Sequence, residues 1–268
     1  MPPFRTLELS DPAFETDHLR RVTVKTPNLG GRGDLTVFVP PGTAPEEKLP
    51  VVTLLHGVYG SHWCWSAKAG VHRTAAAMIA SGELPPLLIA MPGDGGRFDG
   101  TGYRRHRDAD YGAWIVEDVP AALIQAGLPA GAEAPRFLAG LSMGGYGALR
   151  LGAMHPDRFA GFAGHSSITR FEELGGFVEE DLDAYDLVDG DPHAIDALLR
   201  NRDRLPPFRF DCGVDDPLID GNRRLHRELD AAGIAHGYAE HPGGHEWPYW
   251  QRHVSDTLRF FGGILRGA

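Results

Sequence analysis

The 268-residue chain predicts an α/β fold: a mostly parallel central sheet with helices on both faces. Three observations predict it. Short apolar runs alternate with longer amphipathic stretches from about residue 49 onward. Several of those runs are apolar without alternation, as strands covered on both faces must be. The length, with 42% hydrophobic residues, suits one large domain spanning 1–268 with a sizeable core, with two small domains as the alternative that length alone leaves open.

In order, LRRVTVKT (19–26) and DLTVFVPP (34–41) alternate and flank the turn NLGGRG, so they read as an antiparallel hairpin at a sheet edge. LPVVTLLHG (49–57) is the first fully covered strand, followed by a helix near 68–81 and the strand PLLIAMPG (86–93). Trp114, Ile115, Val119 and Leu123 mark a helix near 112–126. The strand PRFLAGLS (135–142) runs into a helix from Met143 to about Met154. FAGFAGHSS (159–167) and FRFDCG (208–213) are further strands, with no strand expected in 168–206 between them. A helix near 217–232, the strand HGYAEH (236–241) and a helix over 247–265 complete the chain.

Composition narrows the partners. Lys and Arg number 26 against 36 Asp and Glu, a formal charge of −10, which argues against nucleic acid or an anionic membrane surface. The opening MPPFRTLELSDPAFETD has no apolar signal region, and no run approaches the roughly 20 apolar residues of a membrane helix. Two cysteines, Cys64 and Cys212, read as free thiols in a reducing compartment, so a cytoplasmic location is expected.

Parallel sheets of this kind bind ligands beyond the carboxyl ends of their strands. There GLSMGGYGALRL (140–151) places Ser142 in G-x-S-x-G between a strand and a helix. A tight strand-to-helix turn holds such a serine in a strained conformation, and its neighbours two residues away pack too closely for side chains. The competing reading is a glycine-rich turn whose serine caps the helix. A serine nucleophile needs a base, and the base needs a carboxylate to orient it. The order on such a fold is serine, acid, histidine. His245, on the loop after the last strand and behind two glycines, fits the base; His226 and His253 fall in helices and face solvent or packing. The acid lies in CGVDDPLID, where Asp215 and Asp216 compete, because Asp216 before Pro217 also reads as a helix cap. The oxyanion requires two backbone N–H donors, expected from Met143 and from Val58 after LLHG. His56 shapes that loop; no metal-ligand spacing surrounds it, so no metal and no cofactor are expected.

These residues resemble the putative-esterase branch of the α/β-hydrolases, which includes esterase D-like S-formylglutathione hydrolases, feruloyl and acetylxylan esterases and mycolyltransferases. The resemblance runs from about residue 19 to 265 and rests on LLHGVYGSHWCW, GLSMGGYGALRL, CGVDDPLIDGNRRLHREL and PGGHEWPYW. It implies an α/β-hydrolase fold, Ser142 as nucleophile, His245 as base, and Asp216 as the acid, four residues after the Cys of a C-G-x-x-D-x-L pattern. It also implies that 168–206 is a short cap over the site. From Glu172 to Asp191 that segment holds nine acidic residues and no Lys or Arg, expected as a solvated face. The cluster RRHR (104–107) has no place in the family pattern. Tyr59, Trp63, Trp65 and Trp247 are expected to line the pocket, and Trp114 and Trp250 to sit in the core. The activity implied is that of a cofactor-free serine carboxylesterase acting on a small-molecule ester. The bulky rings of GVYGSHWCW beside an oxyanion donor, with a short cap that lacks a long apolar face, lead to the expectation of short acyl chains. An acyltransferase using the same triad, or a non-catalytic binding protein on the scaffold, are the alternatives, and a homo-oligomer is open to either.

Overall fold

The computed structural model describes residues 3–44 and 46–267. Its nine strands form one sheet in the order β1-β2-β3-β5-β4-β6-β7-β8-β9. The strands are β1 (Leu7–Leu9), β2 (Leu19–Thr26), β3 (Gly31–Phe38), β4 (Val51–Leu55), β5 (Leu88–Pro92), β6 (Arg136–Leu141), β7 (Gly161–His165), β8 (Phe208–Gly213) and β9 (Gly237–His241). The first three are antiparallel, and β3 pairs antiparallel with β5; from β5 to β9 every pairing is parallel. Helices α1 (Cys64–Ala67), α2 (Val71–Ala80), α3 (Tyr111–Ala113), α4 (Val119–Gln125), α5 (Met143–Met154), α6 (Ala194–Arg200), α7 (Ile219–Ala231) and α8 (Trp247–Leu265) connect the strands.

Successive strand residues point to opposite faces, and the sequence fills both. On β4, Val51 and Leu55 join the core under α4, α5 and α7, while Val52 and Leu54 join the core under α2 and α8. On β6, Leu138 faces the first core and Phe137, Ala139 and Leu141 the second. Burial of each such large side chain contributes about 1.5–3 kcal/mol. This double burial is why the inner strands read as unbroken apolar runs.

Departures from the expected elements have local causes. The second hairpin strand begins at Gly31 rather than Asp34, because its pairing with β2 continues to Thr26 opposite Gly31. The strand β1, only three residues long, leaves no periodic signal. The helix expected over 112–126 contains a π-helical turn, Trp114–Asp118. There the Val119 N–H reaches back to Trp114 O, immediately before Pro120, which has no N–H to donate.

Residues 168–206 contain no strand. They carry two 3₁₀ turns, Phe171–Gly176 and Leu182–Tyr185, and α6. The expectation of a solvated acidic face fails in part: four of the nine carboxylates pair with arginines, Glu173 with Arg224 at 2.9 Å among them. Asp189 pairs with Arg104 (2.7 Å) and with Arg150, Asp186 with Arg107 (2.6 Å), and Asp191 with Arg200. Arg104 and Arg150 are buried, and a buried guanidinium requires a carboxylate partner. RRHR thus fastens the acidic segment to the body of the fold. No helix among the described residues is long and apolar enough to cross a membrane.

Candidate active site

The glycines around Ser142 are required by contact. A Cβ on Gly140 would lie 2.2 Å from the Gly144 carbonyl oxygen, and one on Gly144 would lie 2.4 Å from the Leu55 carbonyl oxygen. The turn is therefore pressed against itself and against the end of β4. Ser142 adopts φ 54°, ψ −120°, a left-handed backbone that a side chain adopts only under constraint. Its N–H donates to His165 O (2.9 Å), and its carbonyl accepts from the Tyr146 and Ile168 N–H groups (3.1 and 3.2 Å). Three anchors hold the strained residue at the mouth of the sheet.

His245 lies between β9 and α8. Its Nδ1 is 2.9 Å from Asp216 Oδ2 and its Nε2 is 3.0 Å from Ser142 Oγ. A carboxylate only accepts, so Nδ1 carries the hydrogen, and Nε2 is left to accept from the serine hydroxyl. Asp216 is buried, and its Oδ1 also accepts the Leu218 N–H (2.8 Å) ahead of α7. The N-cap of α7 is Leu218, with no side-chain cap bond, so Asp216 closes a turn ahead of the helix rather than capping it, and its carboxylate pairs with the histidine. Asp215 points to solvent, and its N–H donates to Gly243 O (3.0 Å), tying the aspartate loop to the histidine loop.

The N–H groups of Val58 and Met143 donate to no acceptor among the described residues. The Val58 loop is fixed by His56. Its Nε2 accepts the Asp94 N–H (3.1 Å), its Nδ1 donates to Gly57 O (2.7 Å), and its carbonyl accepts the Tyr103 hydroxyl (3.1 Å).

Ser142 and His245 open onto a cleft of about 260 Å³ walled by Val58, Tyr59, Leu141, Phe177, Trp247 and Trp250. Tyr59 and Trp247 line it as expected. Trp65 does not: it is buried, with its indole N–H on Leu55 O (3.0 Å), because the short helix α1 turns it into the core. Trp63, also expected in the pocket, is exposed at the helix start and outside the cleft wall. Trp250 is buried in the core as expected, and it also walls the cleft, meeting the His245 ring edge-on at 5.0 Å. Its spacing of three from Trp247 on one helix was the available signal. Phe177, 5.2 Å from the His245 ring, comes from the 168–206 segment, where no periodicity marks it.

A second histidine–aspartate pair lies behind the first. His165 Nδ1 is 3.0 Å from Asp211 Oδ2, and both side chains are 0% exposed. Arg209 (3.2 Å) and the Tyr249 hydroxyl (2.9 Å) also reach Asp211, and Thr257 Oγ1 is 3.0 Å from His165 Nε2. Burial by itself raises the Asp211 carboxyl, but His165, Arg209 and Tyr249 outweigh it and hold it below the usual carboxylate range.

Parallel strands leading to a serine elbow, with an aspartate loop and a histidine loop following in that order, make this an α/β-hydrolase fold, and its class is the serine carboxylesterases. Residues 26–206 match the family described as "Putative esterase", and the chain belongs to it. An acetyl esterase from Caldicellulosiruptor saccharolyticus is 27% identical over 237 residues, covering 80% of this chain and 84% of that protein. A solved ferulic acid esterase superposes with a TM-score of 0.80 at 25% identity, covering 97% of this chain and 98% of its own. An S-formylglutathione hydrolase from Staphylococcus aureus shares the fold with a TM-score of 0.75 at 19% identity, covering 94% and 98%.

Proposed function

We propose that Ser142, His245 and Asp216 are the catalytic triad of an esterase for short acyl groups. Ser142 Oγ attacks the ester carbonyl while His245 Nε2 takes its proton. Asp216 holds the imidazole by Nδ1 and stabilises the imidazolium that forms. The N–H groups of Val58 and Met143 receive the oxyanion. His245 then returns the proton to the departing alcohol, and water repeats the sequence on the acyl-enzyme. The observation that carries the triad is the unbroken contact from Ser142 through His245 to Asp216, at 3.0 and 2.9 Å. The segment 168–206 serves as a cap within a single 1–268 domain, supported by Phe177 reaching the His245 ring. The partner is a small ester, with no nucleic acid and no membrane. The buried free thiols of Cys64 and Cys212 support a cytoplasmic setting.

The acyl preference rests on the cleft. Phe177, Trp247 and Trp250 wall a cleft of about 260 Å³ beside the serine. The relative named acetyl esterase supports a small acyl group. Each further buried methylene gains about 0.8 kcal/mol, roughly fourfold in kcat/KM, until the wall is met. A series of p-nitrophenyl esters should therefore rise from acetyl to butyryl and fall steeply beyond about six carbons. A kcat/KM that keeps rising to decanoyl, measured below the critical micelle concentration, would show an open pocket and overturn this reading.

A further inference from the structure

Two histidines unused by the esterase site face each other at the far end of the sheet. His226 lies in the middle of α7, and His236 immediately precedes β9. His226 Nδ1 is 2.8 Å from His236 Nε2. His236 Nδ1 is 2.8 Å from Ile234 O. A carbonyl only accepts, so Nδ1 carries the hydrogen and the His236 Nε2 lone pair is aimed at His226. That arrangement, one imidazole nitrogen on a backbone carbonyl and the other left bare, is how metal-ligating histidines are held. The rings are braced: His226 stacks on Tyr238 (4.5 Å, 25°) and His236 on Phe210 (5.6 Å, 14°). Asp230 follows His226 by one helical turn, so both side chains share a face of α7. Ligand atoms of His226, Asp230 and His236 all lie within 4.8 Å of one another.

We propose that His226, Asp230 and His236 form a binding site for a divalent transition-metal ion of the zinc type. An ion would replace the proton shared by the two imidazoles. Zinc–nitrogen bonds near 2.0–2.1 Å at tetrahedral angles put two ligand nitrogens about 3.3 Å apart, so the 2.8 Å pair need open only slightly. Asp230, on the exposed side of the helix with Oδ2 3.5 Å from His226 Nε2, swings to the Nδ1 side as the third ligand, and water completes the shell. Two imidazoles and one carboxylate select zinc, nickel or copper over calcium or magnesium, which want oxygen alone. A second cluster, His241, His253 and Asp256, has the same composition but not the geometry. Its two rings are stacked at 4.1 Å and 11°, so their lone pairs run side by side and do not converge on an ion. The proposed ion joins α7 to the start of the edge strand β9, while Ser142 and His245 follow the strands' carboxyl ends. It therefore acts on stability and leaves ester hydrolysis unchanged.

The test is zinc uptake by the purified chain at micromolar free Zn²⁺, read by dialysis and metal analysis, with thermal melting in parallel. Wild type should bind one equivalent. Its Tm should rise by about 5–10 °C at a roughly 100-fold excess over Kd. His226→Gln and His236→Gln should each lose the bound ion and the Tm shift while keeping esterase turnover; His253→Gln should keep all three. No uptake by wild type, or full uptake by His236→Gln, overturns the site. Should the variants fail to fold, Cu²⁺ bound to wild type provides the check. Its electron paramagnetic resonance should show two equatorial imidazole nitrogens, and a spectrum without them overturns the site equally. Neither readout involves an ester, so its outcome is separate from that of the triad.

Discussion

Two histidine–aspartate pairs sit within a few residues of each other at the carboxyl ends of neighbouring strands, and they differ in what the far imidazole nitrogen meets. In the His165–Asp211 pair the far nitrogen meets Thr257, and Tyr249 and Arg209 occupy the carboxylate. Both side chains are sealed from water. In the His245–Asp216 pair the far nitrogen meets a serine hydroxyl on a strained turn, and the imidazole is 18% exposed, toward the cleft. The same two residue types thus make a structural clamp or a candidate proton relay. A relay needs one nitrogen left facing a group that can change, next to space for a substrate.

The largest effect expected from breaking this contrast is at the relay itself. Ser142→Ala and His245→Ala should each lower kcat by roughly 10⁶-fold, and the double variant by no more, since triad members act as a unit. Single-turnover hydrolysis of p-nitrophenyl acetate measures this, and near-native turnover in either variant would refute the assignment. Next comes Asp216→Asn, which keeps an oxygen for the Leu218 N–H but favours the wrong imidazole tautomer. Turnover should fall roughly 10³–10⁴-fold with the fold preserved.

The clamp should answer differently. Asp211→Asn should cost about 3–5 kcal/mol of stability in urea melts while the folded fraction keeps much of its turnover. The Asp211 carboxyl is held below its usual range, so its contribution is complete above the unfolded value of about 4 and is lost as pH falls through the native one. The stability gap between wild type and variant should therefore be widest near neutrality and close in stronger acid. A kcat loss as deep as that of Asp216→Asn would show that the clamp is part of the relay. The smallest effect belongs to exposed Asp215: Asp215→Asn should shift stability by less than about 0.5 kcal/mol and barely alter turnover.

What the sequence disclosed follows the same division. The inner strands were legible because burial on both faces leaves them uniformly apolar, and the elbow because close packing at Gly140 and Gly144 excludes side chains. Ser142 and His245 stand out because each follows a strand that can be read locally, whereas Asp216 is told from Asp215 only by the family's C-G-x-x-D-x-L pattern. Phe177 and the Arg104–Asp189–Arg150 cluster could not be read this way. Their positions depend on how an irregular segment folds back, and no periodicity records that. Trp63 and Trp65 lie near Val58 in sequence but not in the cleft, because the four-residue helix α1 carries them away from it. Asp211 was hidden in plain composition: an ionisable residue inside an apolar strand run signals a buried partner, here His165.

The contact between Ser142 and His245 joins residues 103 positions apart. A growing chain can complete the elbow on β6 and α5 while β8, β9 and α8 are still unsynthesised. During that interval Ser142 lacks its contact with His245 and, through it, with Asp216. Non-local contacts of this kind close late, after the loop-closure entropy of the intervening segments has been met. On the proposed triad, the nucleophile is therefore armed last. On that reading ester hydrolysis reports completion of the whole sheet, and a prematurely terminated chain carries an inert hydroxyl.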